Sequence, residues 1–189
     1  MTDPHSKGQW RADIATRRRA RPAAERQTAA LALAARVLEL PALSSARTVA
    51  AYVSLPTEPG TGPLLAALRD RGIRVLLPVL LADKDLDWVD AGGAPLGVRA
   101  IADADVVVCP AMAVDADGAR LGKGGGSYDR ALTRRRPGAL VVALLHEDEV
   151  VAALPTEAHD HRVDLVVTPD HNHAYGRMGL SQRHDDADR

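Results

Sequence analysis

Between Gly118 and Arg130 the chain reads Gly-Ala-Arg-Leu-Gly-Lys-Gly-Gly-Gly-Ser-Tyr-Asp-Arg. Glycines at 122, 124, 125 and 126 are set among Arg120, Lys123 and Arg130, and the run ends on Tyr128 and Asp129. Glycine lets a backbone turn its N–H groups inward and approach a ligand closely. Cations beside such a loop suit a polyphosphate, and a trailing carboxylate suits the magnesium that a polyphosphate carries. The glycines lead into a helix predicted from Ser127 to about Arg135, whose N-terminus would also favour an anion. Taken alone, the stretch is either a phosphate cradle or a flexible surface loop of small residues, and the flanking cations favour the cradle. Neither common phosphate fingerprint fits. The gap from Gly118 to Gly122 is too short for a P-loop, and Lys123 precedes Gly124 rather than Ser or Thr. Counted from Gly122, the last glycine of a dinucleotide fingerprint would fall on Ser127.

Other residues could act with this loop. Of 24 basic residues only Lys7, Lys84 and Lys123 are lysine. Lysine is a compact point charge that suits phosphate, whereas arginine prefers planar bidentate partners. Lys7 and Arg11 share one helix face at i, i+4 and by themselves read as a solvated charged face. Glu58, in a loop rich in Pro, Gly and Thr, reads as a surface charge. His159-Asp160-His161 is dense enough for a metal, but no third ligand is evident. Asp115 and Asp117 hint at a calcium loop without its ligand pattern. Cys109, the single cysteine, lies in an apolar run and reads as a packing residue.

The elements that must position these residues follow from the apolar pattern. Residues 7 to 40 are predicted helical, with Pro22 dividing two helices and the second running from about Ala23 to Leu40. Buried strands are predicted at Thr48–Val53, Ile73–Pro78, Leu86–Val89, Asp105–Cys109, Leu140–Leu145 and Leu165–Thr168. A short helix spans Leu64–Arg71. Ser54–Pro63 and the stretch from Pro110 to the glycines are predicted loops. Strands alternating with helices give an α/β fold with a mostly parallel sheet, and ligands bind such sheets beyond the carboxyl ends of the strands. Both loops follow strands and therefore share one edge. From Asp170 the chain is polar, with His171, His173, His184, Asp185 and Asp186, and reads as a disordered tail after one domain over residues 1–169.

Composition narrows the function classes. The 189 residues are 46% hydrophobic and carry a net charge of −1, so no bulk field points to nucleic acid or a membrane surface. Phenylalanine is absent and aromatics are scarce, which argues against a base-stacking surface. The arginine-rich N-terminal stretch has no signal-peptide core, and no apolar run approaches a membrane span. The expectation is a cytoplasmic monomer without nucleic-acid or membrane partners.

Four segments together resemble the 5-formyltetrahydrofolate cyclo-ligase family, also called methenyltetrahydrofolate synthetase. Gly118–Arg130 matches its signature G-x-R-L-G-x-G-x-G-Y-Y-D-R except that Ser127 replaces the first Tyr. Lys7-Gly-Gln-Trp-Arg11 resembles its K-x-x-L-R. Tyr52-Val-Ser54 with Glu58 and Thr61 resembles Y-x-S-x-x-x-E-x-x-T. Leu154-Pro155 through His159-Asp160 to Val163-Asp164 resembles L-P-x-x-x-H-D-x-x-V-D, and Thr168-Pro169 follows. The resemblance implies a Rossmann-like three-layer α/β sandwich and a ligase that consumes ATP, with Mg²⁺, to cyclise 5-formyltetrahydrofolate to 5,10-methenyltetrahydrofolate. By position it implies ATP binding by Lys7, Arg11, Arg120, Leu121, Gly122, Lys123, Gly124, Gly125, Gly126, Ser127 and Tyr128. It implies folate binding by Val53, Glu58 and the Lys123–Ser127 stretch, metal binding by Asp129 and Asp160, and catalytic roles for Arg120, Lys123 and Tyr128. Ser127 cannot stack as a Tyr would, which leaves two alternatives: an ATP-dependent kinase or ligase on another small N-formyl or carboxyl substrate, or a non-catalytic folate or nucleotide binder.

Overall fold

The computed structural model describes residues 6–157 and 160–175. Helix α1 (Lys7–Ala20) begins at a capping box: Ser6 Oγ accepts from Gln9 N at 3.2 Å and the Gln9 side chain accepts from Ser6 N at 2.7 Å. Pro22 ends its run and α2 (Ala23–Leu38) follows, then the single turn α3 (Pro41–Ser44). Strand β1 (Thr48–Ala50), helix α4 (Gly62–Asp70) and strands β2 (Arg74–Leu80), β3 (Leu86–Val89) and β4 (Val106–Pro110) come next. The chain continues through β5 (Ala113–Asp115), β6 (Arg120–Leu121), α5 (Ser127–Leu132), β7 (Leu140–Leu144), β8 (Val150–Val151), β9 (Leu165–Val167) and β10 (Asn172–Ala174).

Seven strands form the main sheet in the order β10-β9-β7-β4-β1-β2-β3. The inner pairs β2–β1, β1–β4, β4–β7 and β7–β9 are parallel, and the two edges, β3 and β10, are antiparallel. This is the expected α/β class with a mostly parallel central sheet. The inner strands are buried on both faces, so they read as continuous Val, Ala and Leu runs. One face is covered by α2, α3 and α4 through Leu33, Val37, Leu43, Leu64 and Leu68. The other packs Trp88, Ile101, Val114, Leu132 and Leu145 beneath α5 and a second small sheet. After β1 the chain builds toward β2 and β3; after β4 it builds the other way, toward β7 and β9. The reversal between β1 and β4 opens a crevice at their carboxyl ends, where open α/β sheets bind ligands.

Three expectations are corrected. The stretch after Pro110 is not an irregular loop: β5 and β6 pair with β8 in a three-stranded sheet of order β6-β5-β8. Those strands are two or three residues long, too short for a periodic signal. The helix at Ser127 ends at Leu132 rather than Arg135, with only turns beyond it. The ordered chain does not stop at Pro169: Asn172–Ala174 pairs with β9, in register His173↔Val166. An edge strand keeps one side in solvent, so its polar composition read as tail. His184, Asp185 and Asp186 lie outside the described residues. Among the described residues no helix is long and apolar enough to cross a membrane.

Helix α1 does not lie on the main sheet. Ile14 and Trp10 pack instead on the small sheet against Met112, Ala113, Leu121 and Leu154. A buried ion pair fixes the helix there. Arg18 Nε and Nη2 donate to the two Glu149 oxygens at 2.6 and 2.8 Å, and Nη2 also donates to Ala111 O at 2.8 Å. Glu149 Oε2 takes His146 N at 3.0 Å. Burial works against the Arg18 charge, yet Glu149 more than offsets it and holds the guanidinium above its ordinary pKa. Arg18→Met, which leaves Glu149 buried and unpaired, should lower unfolding free energy in urea by about 3–5 kcal/mol, and Arg18→Met with Glu149→Leu should recover most of the loss.

Candidate active site

A cavity of about 800 Å³ occupies the crevice between β1 and β4. Every site residue expected from the sequence lines it: Val53 and Glu58 after β1, Lys7 and Arg11 from α1, the whole run Arg120–Asp129, and Asp160. His159 lies outside the described residues. The structure thus brings together segments far apart in the chain, as the four-segment resemblance requires.

Glu58 is not a surface charge. It is 7% exposed, and its position is built by the loop around it. Thr61 Oγ1 donates to Tyr52 O at 2.7 Å and accepts from Ser54 N at 3.0 Å, while Ser54 Oγ accepts from Thr61 N at 3.1 Å. This reciprocal clasp closes residues 54–61 into a fixed loop. Within it Glu58 Oε2 accepts from Leu55 N at 2.7 Å, and Oε1 meets Lys123 Nζ at 2.6 Å. The spacing of Tyr52, Ser54, Glu58 and Thr61 is therefore the spacing of one clasped carboxylate.

Arg120 is 6% exposed at the start of the glycine run. Its Nη2 donates to Asp129 Oδ1 at 2.7 Å and its Nη1 to Pro110 O at 3.2 Å, with the guanidinium 6.0 Å from the Tyr128 ring centroid. Asp129 Oδ1 also accepts from His161 N at 3.2 Å. A Cβ at Gly122 would come within 2.9 Å of Arg120 Nη1, so the glycine leaves room for that guanidinium. Arg11 Nε donates to Gly122 O at 2.8 Å. Lys7 Nζ reaches Asp160 Oδ2 at 2.7 Å and Glu157 Oε1 at 3.0 Å. Partial burial works against the Lys7 charge, but Asp160 and Glu157 raise its pKa above the ordinary value. Lys7 and Arg11 thus line the cavity and are not a solvated face.

Tyr52 and Tyr128 line the cavity, and Cys109 is buried outside its lining. The Tyr128 hydroxyl is buried without a hydrogen-bond partner among the described residues, and burial first, then nearby Cys109, pushes its pKa up, so it stays a neutral donor. Tyr52 is shifted the same way by burial and by Glu58. Burial raises the Cys109 thiol to about 11, which fits a packing residue. Asp115 is likewise structural: Oδ1 takes Asp117 N and Ala119 N at 3.0 and 2.9 Å, and Oδ2 takes Leu154 N at 3.2 Å.

The sequence reading missed the apolar wall and one carboxylate. Leu55, Pro78, Leu80 and Leu86 line the cavity from the β1, β2 and β3 side, and Glu157 lines the opposite side beside Asp160. Val53, Leu55 and Leu80 are 66, 54 and 66% exposed, an arrangement that marks a binding surface when such residues cluster. Arg130 does not face the cavity with the other cations; its Nη2 donates to Lys84 O at 2.6 Å.

The crevice of this α/β protein has cations and carboxylates on one side and a single clasped carboxylate amid apolar residues on the other. The sequence model of the 5-formyltetrahydrofolate cyclo-ligase family matches residues 3–169. A 5-formyltetrahydrofolate cyclo-ligase of Mycolicibacterium smegmatis is 39% identical over 186 residues, covering 88% of this chain and 95% of the relative. One from Escherichia coli K12 is 32% identical over 175 residues, covering 82% and 96%. The fold matches a 5,10-methenyltetrahydrofolate synthetase from Mycoplasma pneumoniae with TM-score 0.78 at 19% identity, over 87% of this chain and 99% of the other. It matches a 5,10-methenyltetrahydrofolate synthetase from Aquifex aeolicus with TM-score 0.75 at 25% identity, over 97% and 99%. The chain belongs to the 5-formyltetrahydrofolate cyclo-ligase family and is an enzyme of the ligase class.

Gly124 has φ +99°, and a Cβ there would lie 3.4 Å from Arg11 Cζ. Gly124→Ala should cost about 1–3 kcal/mol of stability through backbone strain. It should also weaken binding of a nucleotide analogue, measured by titration calorimetry.

Proposed function

We propose that the protein closes 5-formyltetrahydrofolate to 5,10-methenyltetrahydrofolate with consumption of ATP. The observation that supports this most is the convergence of all four resembling segments on one cavity, with phosphate-type cations and the clasped Glu58 facing the same space. The chemistry explains the need for ATP. An N5-formyl group is an amide, so its carbon is a poor electrophile and its oxygen a poor leaving group. Attack of the formyl oxygen on the γ-phosphorus breaks the bond to ADP and forms an iminium phosphate. N10 then bonds to the formyl carbon, its proton is lost, and the C–O bond breaks to release phosphate.

The protein's share is alignment and charge neutralisation. Lys7, Arg11 and Arg120–Tyr128 hold the nucleotide. Arg120 is pre-set by Asp129 and Pro110 O, so it can meet phosphate without a search for its rotamer. Val53 and Glu58 take the pterin, whose amino and ring N–H groups donate to a carboxylate in pairs. Tyr128 lines the site with its neutral hydroxyl buried beneath it. Lys123 has two partners in this scheme: Glu58 before ligands bind, and the transferring phosphate afterwards, which frees Glu58 for the pterin.

The acidic residues fit a magnesium ion that comes with the nucleotide. Asp129 and Asp160 are hard oxygen donors on the wall of the cavity that carries the cations. Among the described residues no cluster of three or more His, Cys, Asp or Glu could hold a metal unaided. Magnesium is commonly held by one or two carboxylates together with substrate phosphates. Bound there, it would neutralise charge on the phosphate oxygens.

Purified protein with 5-formyltetrahydrofolate and Mg·ATP should show rising methenyl-folate absorbance, and none when ATP is omitted. No rise with ATP would overturn the reading, and turnover of a different formyl or carboxyl substrate would redirect it. Lys123 is 53% exposed, so Lys123→Ala tests the chemistry without disturbing the core. It should lower kcat/KM by about a hundredfold with only a small drop in melting temperature, since Glu58 keeps its bond from Leu55 N.

A further inference from the structure

Two arginines that the proposed chemistry does not use tie the glycine loop to the edge of the sheet. The β2–β3 hairpin carries Leu80 and Leu86, which pair across the strands and line the cavity. Beyond them the chain turns at residues 81–85, where Leu81 N donates to Asp85 O at 2.9 Å and Lys84 N to Leu81 O at 3.0 Å. Lys84 sits at φ +66°, a left-handed conformation that a lysine adopts only when its surroundings hold it. β3 is an edge strand of four residues with no strand beyond it among the described residues. Its own ladder therefore holds the turn from one side only.

The other side is held from α5 and the turn after it. Arg130 Nη2 donates to Lys84 O at 2.6 Å and lies 3.4 Å from Gly125 O, so one guanidinium bridges the hairpin and the glycine loop. One helical turn later, Arg134 pairs with Asp85, which keeps the Asp85 carboxyl below its usual range. Asp85 Oδ1 also takes Leu86 N at 2.8 Å, so the tie continues directly into a wall residue. Two successive turn residues, Lys84 and Asp85, are thus fastened to the segment that begins at the last glycine.

We infer that Arg130 and Arg134 are positioning residues that hold the Leu80–Leu86 wall against the glycine loop and set the fit of the apolar, planar part of the formyl substrate. The inference rests on the proposed function. The wall belongs to the β1-β2-β3 side of the cavity, with Val53, Leu55 and Glu58, whereas Lys7, Arg11 and Asp160 stand apart from it on α1 and near residue 160. Loosening the hairpin should therefore affect the formyl substrate more than ATP. A merely structural role would lower the fraction of folded enzyme and affect both alike.

The test is steady-state kinetics of Arg130→Ala, Arg130→Lys and Arg134→Gln with each substrate varied in turn, together with thermal unfolding. The expected result for Arg130→Ala is a KM for 5-formyltetrahydrofolate raised about tenfold, with a clearly smaller rise in the KM for ATP because Arg130 also touches Gly125 O. Arg130→Lys keeps one donor for Lys84 O and should recover part of the effect. Arg134→Gln should act in the same direction, and it carries the test if Arg130→Ala does not fold. Unchanged folate KM in these variants, or an equal rise for ATP, overturns the inference while wild-type turnover keeps the function. Absence of wild-type turnover overturns both.

Discussion

The site depends on one buried charge pair that lies outside it. Helix α1 brings Lys7 and Arg11 to the cavity, yet it has no place on the main sheet and rests on three short strands. Apolar contacts through Ile14 and Trp10 alone would leave it free to slide. Arg18 and Glu149, 3% and 1% exposed, remove that freedom, because a desolvated guanidinium and carboxylate are tolerable only in a geometry that satisfies both. The bidentate pair, Ala111 O and His146 N together supply that geometry. Ala111 directly follows β4, so the pair sets α1 relative to the very strand end from which the crevice opens. A displacement of α1 would move Lys7 and Arg11 away from Asp160 and Gly122 together.

Charge within the cavity obeys a related rule. Lys7, Arg120 and Lys123 each face a carboxylate: Asp160 with Glu157, Asp129, and Glu58. The pairing leaves these three cavity cations balanced by carboxylates, in keeping with a chain of net charge −1. The pairs are not alike. Arg120–Asp129 is nearly dry on the arginine side, at 3% exposure, and belongs to the fixed frame. Lys123 lies half in solvent on a glycine-flanked stem, so its bond to Glu58 is the one that a ligand can exchange at least cost.

Much of this was legible in the sequence. The inner strands were visible because burial on both faces leaves uninterrupted apolar runs, and Gly118–Arg130 was visible because cations, glycines and a carboxylate rarely stand so close. Glu58 and Lys7 were legible only through resemblance. A carboxylate is read as exposed unless its clasp is recognised, and the clasp here is made by Ser54 and Thr61, ordinary loop residues by composition. The small sheet escaped because β6 and β8 have two residues each and draw their order from α1 and β5 rather than from their own pattern. β10 escaped because an edge strand needs few apolar residues. The apolar wall was hidden for a different reason: the predicted strand ended at Pro78, and only the fold extends it to Leu80, which is 66% exposed at the cavity.

The failure of the loop to match either common phosphate fingerprint has a physical counterpart in the fold. P-loops and dinucleotide sites place the anion on the N-terminus of a long helix and let its dipole contribute. Here the helix after the glycines has six residues, too few for a large dipole, and the positive charge must come from side chains. That requirement accounts for the rest of the design. Side chains need frames, so Arg120 is braced by Asp129 and Pro110 O, Arg11 is anchored on Gly122 O, and Lys7 is held by Asp160 from across the chain. The glycines then serve less as anion donors than as space: Gly122 admits the Arg120 guanidinium and Gly124 lies against that of Arg11. Lys123 meets Glu58 and Gly122 O accepts from Arg11, so the glycine run borders both the apolar side and the charged side of the cavity.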